Sequence, residues 1–372
     1  MASTGEAVTA HPIIGARRSD PRVEAGPLTG PRSNGRAPTY RLAPDKPGTI
    51  AGVAPPSRLA ARFGDRVRAQ VALAPLSTFR VGGPADWLLE ARSSDEILDA
   101  LRAAAADGLP VTLLGGGSNI VIADAGIRGL VLRVHGGALA AETPGLVRAE
   151  AGVTINGLVR WTIAQGLAGL ESWAGTPGTV GGGVYGNAHF QGHLLSEVVH
   201  AVRLATRAGD VRDVGADDMG FGYDTSRVQH TREVVLSAVF TVSPGEPDAL
   251  RGTARASLAY RKRTQPLHLP SAGCIFQNPD PQRDPLPPGV PASAGALVDR
   301  AGLKGVAIGG ARVSPLHANF IVNEGAATAA DIRALVRRCR NTVAERFGIT
   351  LREEVGFLGD WPPDPQLPTH NS

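Results

Sequence analysis

Cysteine is nearly absent: Cys274 and Cys339 are the two in 372 residues. No CxxC pair or closely spaced His/Cys group accompanies them, so the sequence offers neither a disulfide framework nor a metal-binding pattern. Long apolar runs are missing as well. Nothing approaches the roughly 18 consecutive apolar residues of a membrane span, and the N-terminus lacks the apolar core of a secretory signal. The expectation is a cytoplasmic protein with no membrane partner. Charge of one sign is also lacking in the body of the chain: residues 61–372 carry 30 Lys or Arg and 30 Asp or Glu, so the net +4 resides in the first 60. A balanced body has no clustered basic patch, which argues against a nucleic-acid partner.

What is present is an ordinary globular composition, 42% hydrophobic and 19% charged, long enough for two or three domains. Residues 1–58 are rich in Pro, Gly, Ala, Ser and Arg without periodicity, and predict a disordered tail. Beyond it, Ser93 and Glu96 stand in capping-box spacing before a helix that Gly108 closes. Apolar runs at 111–114 and 120–122 flank a glycine triplet, giving strand, loop, strand. A second helix is expected over 155–165, then a glycine-dense stretch over 175–192 and a strand over 234–242. The last helix, 329–347, has Thr328 as cap and a stripe of Ile332, Leu335, Val336, Cys339 and Val343, which makes Cys339 a core residue. Residues 279–292 read as a proline-rich surface excursion and 361–372 as a frayed end.

The first chemical signal is LLGGGSNIVIAD, from Leu113 to Asp124. Consecutive glycines let backbone N–H groups converge on phosphate oxygens. No Lys-Ser/Thr ending and no GxGxxG is present, and β-branched residues rather than a helix follow, so neither a P-loop nor a Rossmann loop fits. A plain turn between strands is the competing reading of this loop alone. A second loop, Gly175-Thr-Pro-Gly-Thr-Val-Gly-Gly-Gly running into Asn187, has the same capacity, and together the two favour a phosphate-bearing cofactor.

Several motifs in order carry a resemblance: TFRVGGPA (78–85), LGGGSNIVIAD followed by Gly126-Ile-Arg-Gly129, GLESWAGTPGTVGG (169–182), QPLHLPSAGCIFQNP (265–279), AGLKG and IGGARVSPLHANFIVN (301–323), and LREEVGFLG (351–359). In this series, across about 66–360, the chain resembles the MurB family of UDP-N-acetylenolpyruvoylglucosamine reductases. The short spacing from Tyr223 to Cys274 resembles the branch lacking an extra tyrosine loop. The resemblance implies an α+β fold: an FAD-binding unit of the vanillyl-alcohol oxidase (PCMH-like) type over 66–245, with subdomains about 66–134 and 135–245, then an α+β substrate domain over 255–360. It further implies noncovalent FAD, NADPH as hydride donor, and a UDP-sugar enolpyruvyl ether as substrate.

By register the resemblance assigns FAD contacts to Arg80, Gly115, Gly116, Gly117, Ser118, Asn119, Thr176, Pro177, Gly178, Gly181, Gly182 and Asn187. It places Cys274 where the family has a proton-donating serine, and Glu354 on its catalytic glutamate, with Glu353 facing solvent. Read alone, Cys274 is a buried apolar thiol. A thiol near its ordinary pKa of about 8.5 stays protonated at neutral pH and retains a proton to give. Asn278, Lys262 and Arg263 are the implied substrate contacts. The chain departs from the family pattern where arginines are usual: Asp224 follows Tyr223, and Gly356 follows the Glu-Val pair. Either Arg227, Arg263 or another cation then substitutes, or catalysis is weak. His189 lies in a further departure, as a flavin contact or a turn cap, and His317 is expected to organise its domain. The competing functional readings are a noncatalytic FAD-binding paralogue and, ranked lower, a flavin oxidase of the same fold.

Overall fold

The computed structural model describes residues 56–362 apart from 285 and 287, all within one compact unit, Lys46–Ser372. Most of the expected tail, 1–55, lies outside the described residues. Its last two positions open a helix, Ser57–Phe63, that buries Leu59 and Phe63.

A four-stranded sheet comes first, in the order Arg68–Ala72, Pro84–Ala91, Ile127–Val134, Val111–Leu114. Its first pair is antiparallel and the other two are parallel. The two central strands are buried on both faces, as their near-continuous apolar runs require. Leu89, Leu130 and Leu132 enter one core, and Leu88, Ile127 and Val131 enter another. The Ser94–Ala106 helix covers the first face with Ile97, Ala100, Leu101 and Ala104. Ser93 caps it, accepting from Glu96 N at 3.2 Å. The return arm of the capping box is not made, because the Glu96 carboxylate accepts from Arg92 N and pairs with Arg66 instead.

The second sheet is antiparallel, in the order Val211–Gly215, Val199–Ala205, Val234–Thr241, Leu146–Glu150, Leu139–Thr143. Its inner residues Val147, Ala149, Leu236 and Phe240 share one hydrophobic cluster with Leu89 and Leu130. The change near residue 134 is therefore a change of sheet rather than of core.

Of the helices that the sequence did not disclose, two carry residues of the site. Val180–Tyr185 forms inside the glycine-dense stretch, with the Thr179 side chain as its cap and Val180, Gly183 and Val184 buried. Pro247–Thr264 starts with Pro at its first turn and turns Leu250, Ala254, Ser257 and Arg261 inward. That stripe is narrow and half polar, so it gives little periodic signal.

The C-terminal part pairs Ala307–Ile308, Ala311–Val313 and Ile321–Asn323 in an antiparallel sheet. The Ala329–Phe347 helix buries the stripe its periodicity predicts, behind a complete Thr328/Asp331 capping box. Gly356–Leu358 then pairs in parallel with Ile120–Ile122, bringing the end of the chain back to the first glycine loop. Trp361, expected to fray, is held: its ring packs on Phe357 at 5.3 Å and its Nε1 donates to Leu358 O at 3.0 Å. Residues 363–372 lie outside the described residues.

Candidate active site

The two glycine loops lie against each other. A Cβ on Gly116 would fall 2.7 Å from Gly178 Cα, one on Gly115 2.6 Å from Thr179 Oγ1, and one on Gly117 2.2 Å from Leu76 O. The glycines thus first allow loop to meet loop, a use the sequence reading assigned to ligand approach. Gly117 also sits at φ +63°, where only glycine is unstrained. Thr78 N donates to Gly117 O at 2.9 Å and fixes the loop from below. Among the described residues, nothing accepts a hydrogen bond from the backbone N–H of Gly115, Gly116, Gly117, Ser118 or Asn119. A run of unclaimed donors on one glycine loop suits the diphosphate of a dinucleotide, so the chain's own geometry fits FAD.

Other members of the expected FAD set do different work. Asn187 is fully buried, with φ 44°. Its Nδ2 donates to Gly222 O at 2.9 Å and its Oδ1 accepts from Ser196 N at 2.9 Å, so both ends of the amide are committed to neighbouring loops. Gly181 packs closely on Ala151 and donates to its carbonyl. Thr176 is buried, Pro177 and Gly182 are exposed, and Arg80 is exposed with Nη1 on Pro75 O at 2.8 Å.

Glu354 and Cys274 are brought together across adjacent segments. Glu354 N donates to Ile275 O at 2.8 Å, beside the bridge between Phe276 and Glu353. The carbonyl of Glu354 accepts from Asn119 Nδ2 at 3.1 Å, which joins the first glycine loop to this segment. Asn319 braces the Cys274 side, accepting from Phe276 N and donating to Phe276 O. Glu353 is half-buried and paired with Arg340 rather than free in solvent. His317 accepts from Asn319 N through Nδ1 and packs edge-on to Phe320, the organising role expected of it.

The same place receives His189, Asp224 and Tyr223. His189 Nδ1 lies 3.1 Å from Asp224 Oδ1, and its ring is 4.8 Å from that of Tyr223. His189 is thus an ion-pair partner, neither a simple turn cap nor free. Asp224 has φ 54°, and the Asn187 bond to Gly222 holds its turn. Tyr223 OH accepts from Asn278 Nδ2 at 3.4 Å, while Asn278 Oδ1 accepts from Ala294 N.

The ionisable groups respond to this crowding. Burial, with the Asp224 charge adding to it, pushes the Glu354 carboxyl up to about 8. Burial, then the Glu354 and Asp224 carboxylates, raise the Cys274 thiol far above its ordinary range, so it is held as SH. Burial, then Asp224, raise the Tyr223 phenol to about 12. His189 is raised by its hydrogen bond to Asp224, against an opposing effect of burial.

The cation at this place is Arg261, which the sequence reading passed over. It is buried, its Nη2 donates to Thr176 Oγ1 at 2.7 Å, and its guanidinium carbon lies 3.6 Å from the Phe190 ring centroid. Its Nε is buried without a partner among the described residues. Burial lowers its pKa to about 10, which leaves it charged at neutral pH. The 250, 254, 257, 261 spacing was the available signal, since it continues one helix face. The two cations named from sequence are elsewhere. Arg227 pairs with Glu233 and bonds Asp218 O, and Arg263 is exposed over Tyr260. Lys262 is exposed too.

Fold and loops together define an FAD-binding flavoprotein: residues 85–215 match the family described as "FAD binding domain". Residues 265–358 match the C-terminal domain of UDP-N-acetylenolpyruvoylglucosamine reductase. The chain is 43% identical over 302 residues to a Synechococcus protein named UDP-N-acetylenolpyruvoylglucosamine reductase, covering 79% of this chain and 94% of that one. A protein of the same name from Gloeobacter violaceus is 40% identical over 298 residues, covering 79% and 97%. The crystal structure of UDP-N-acetylenolpyruvylglucosamine reductase (MurB) from Thermus caldophilus superposes with a TM-score of 0.65 at 32% identity, covering 79% of this chain and 99% of that one. The chain belongs to the UDP-N-acetylenolpyruvoylglucosamine reductase family. No helix among the described residues is long and apolar enough to cross a membrane.

Proposed function

We propose that this protein reduces UDP-N-acetylglucosamine enolpyruvate to UDP-N-acetylmuramate, with FAD as bound cofactor and NADPH as hydride donor, in peptidoglycan synthesis. The observation that supports the reading is the bond from Asn119 to Glu354, which joins the first glycine loop to the segment bonded to Ile275, next to Cys274. Gly115, Gly116, Gly117, Ser118 and Asn119 would hold the FAD diphosphate through the first loop, with Thr176, Pro177, Gly178 and Gly182 from the second and Arg80 nearby. FAD bound there would supply hydride chemistry between NADPH and the enolpyruvyl substrate.

The chain's own residues handle charge and proton. Hydride addition leaves negative charge on the carbon next to the carboxylate and on the carboxylate itself, so donors aimed there lower the barrier. The unpartnered Nε of Arg261 is such a donor, on a guanidinium already oriented by Thr176 and Phe190. Cys274 gives its S–H proton to that carbon as general acid. Glu354 orients the enol unit, and Asn278 contacts the substrate. Lys262 and Arg263, exposed beside Arg261, are available to the outer diphosphate.

One observation favours a second reading, a flavoprotein that binds FAD without this turnover: Asp224 adds a carboxylate beside Glu354, where anionic charge has to develop. NADPH oxidation by the purified yellow protein, dependent on UDP-N-acetylglucosamine enolpyruvate, decides between them. Bound flavin with no substrate-dependent oxidation selects the second reading.

A further inference from the structure

His189, Asp224 and Glu354 come from three separate segments, yet each offers a donor atom within 4.8 Å of the other two. His189 and Asp224 already meet at 3.1 Å, and backbone devices hold the three segments in place. Asn187 ties the His189 turn to Gly222, two residues before Asp224, and Glu354 is fixed through its N–H and C=O by Ile275 and Asn119. The Asp224 side chain is only 10% exposed, and its Oδ2 is buried with no partner. Among the described residues the Glu354 carboxylate accepts no hydrogen bond, and no Lys or Arg pairs with either acid. The His189–Asp224 pair and the Glu354 carboxyl, largely removed from water, thus converge, with one Asp224 oxygen left unsatisfied. A buried carboxylate oxygen without a partner is costly, and a metal ion relieves the cost.

We propose that His189, Asp224 and Glu354 form a binding site for one divalent transition-metal cation. One imidazole nitrogen with two carboxylate oxygens suits Zn²⁺ or Mn²⁺, since the nitrogen ligand disfavours Mg²⁺ and Ca²⁺. Three protein ligands leave a coordination position open, as in catalytic rather than structural sites. On the reductase reading, the ion adds positive charge where the substrate carboxylate gathers negative charge. The binding itself does not depend on that reading.

The test is calorimetric titration of chelator-treated, FAD-loaded protein with ZnCl₂ and, separately, MnCl₂. One ion per chain is expected for at least one of the metals, with affinity lowered tenfold or more in His189→Ala and in the near-isosteric Asp224→Asn. His193→Ala, which removes an exposed histidine paired with Glu197, should leave binding unchanged. Visible flavin absorbance and the melting temperature show that each variant is folded. Absence of a one-to-one site for both metals, or equal affinity in wild type, His189→Ala and Asp224→Asn, overturns the proposal. One-to-one binding through these residues in protein that shows no NADPH oxidation dependent on the enolpyruvyl substrate sinks the reductase reading and leaves the metal site standing.

Discussion

Asn119 donates its side-chain amide to the backbone carbonyl of Glu354 at 3.1 Å, across 235 residues of sequence. Gly356 N returns a bond to Asn119 O at 3.0 Å, so the first glycine loop and the Glu354 segment are latched in both directions. Asn119→Ala removes one arm. A neutral hydrogen bond of this kind contributes about 0.5–1.5 kcal/mol, so the melting temperature should fall only slightly. Turnover should fall further than stability, since the lost bond positions Glu354. Steady-state kinetics beside a thermal melt check this, and unchanged kcat would show that the latch does not position the glutamate.

Gly117 and Gly108 have nearly the same backbone, φ +63° and +64°, in different surroundings. A Cβ at Gly117 meets Leu76 O at 2.2 Å, whereas one at Gly108 meets nothing within 4 Å. Left-handed strain alone costs about 1–2 kcal/mol. Gly108→Ala should therefore lower stability by about that much and keep its flavin, while Gly117→Ala should also lose FAD. Flavin-to-protein absorbance ratios after gel filtration separate the two outcomes.

Cys274→Ala should leave FAD binding and flavin reduction by NADPH intact and slow reoxidation by the enolpyruvyl substrate. General acid catalysis contributes about 10²- to 10⁴-fold, which sets the size of the loss. Cys274→Ser should recover part of it. Anaerobic stopped-flow absorbance resolves the two half-reactions, and wild-type reoxidation by Cys274→Ala would return the thiol to a packing role.

Glu233 predicts the acid limb of stability. Burial alone would raise its pKa, but hydrogen bonds from Thr231 and Arg212 and the charges of Arg227 and Arg212 outweigh burial and hold it below the usual carboxylate value. A depressed folded-state pKa gives stability that is fully present above the unfolded value, about 4.3, and lost as pH falls through the folded one. Glu233→Gln should melt lower than wild type at pH 7, and the gap should narrow as pH falls below about 4. A gap that does not narrow at all as pH falls below about 4 would assign the effect to packing rather than to the charge.

By itself, the sequence determined the elements whose local signals are strong. The Ala329–Phe347 helix has an apolar stripe and a capping box, the Val234–Thr241 strand an apolar run broken only by Ser237, and the glycine loops a composition that permits close backbone approach. Ordered motifs also carried the family. Tertiary structure alone decided which polar groups meet. Arg261 looked like one of several basic residues until its helix turned it inward beside Thr176, while Arg227 was claimed by Glu233. His189, Asp224 and Glu354 showed no ligand spacing because their donors converge only after three distant segments pack. Periodicity and capping act over one or two turns of chain and can be read along it. Charge pairing and burial act through space, and their partners are fixed only when the core closes.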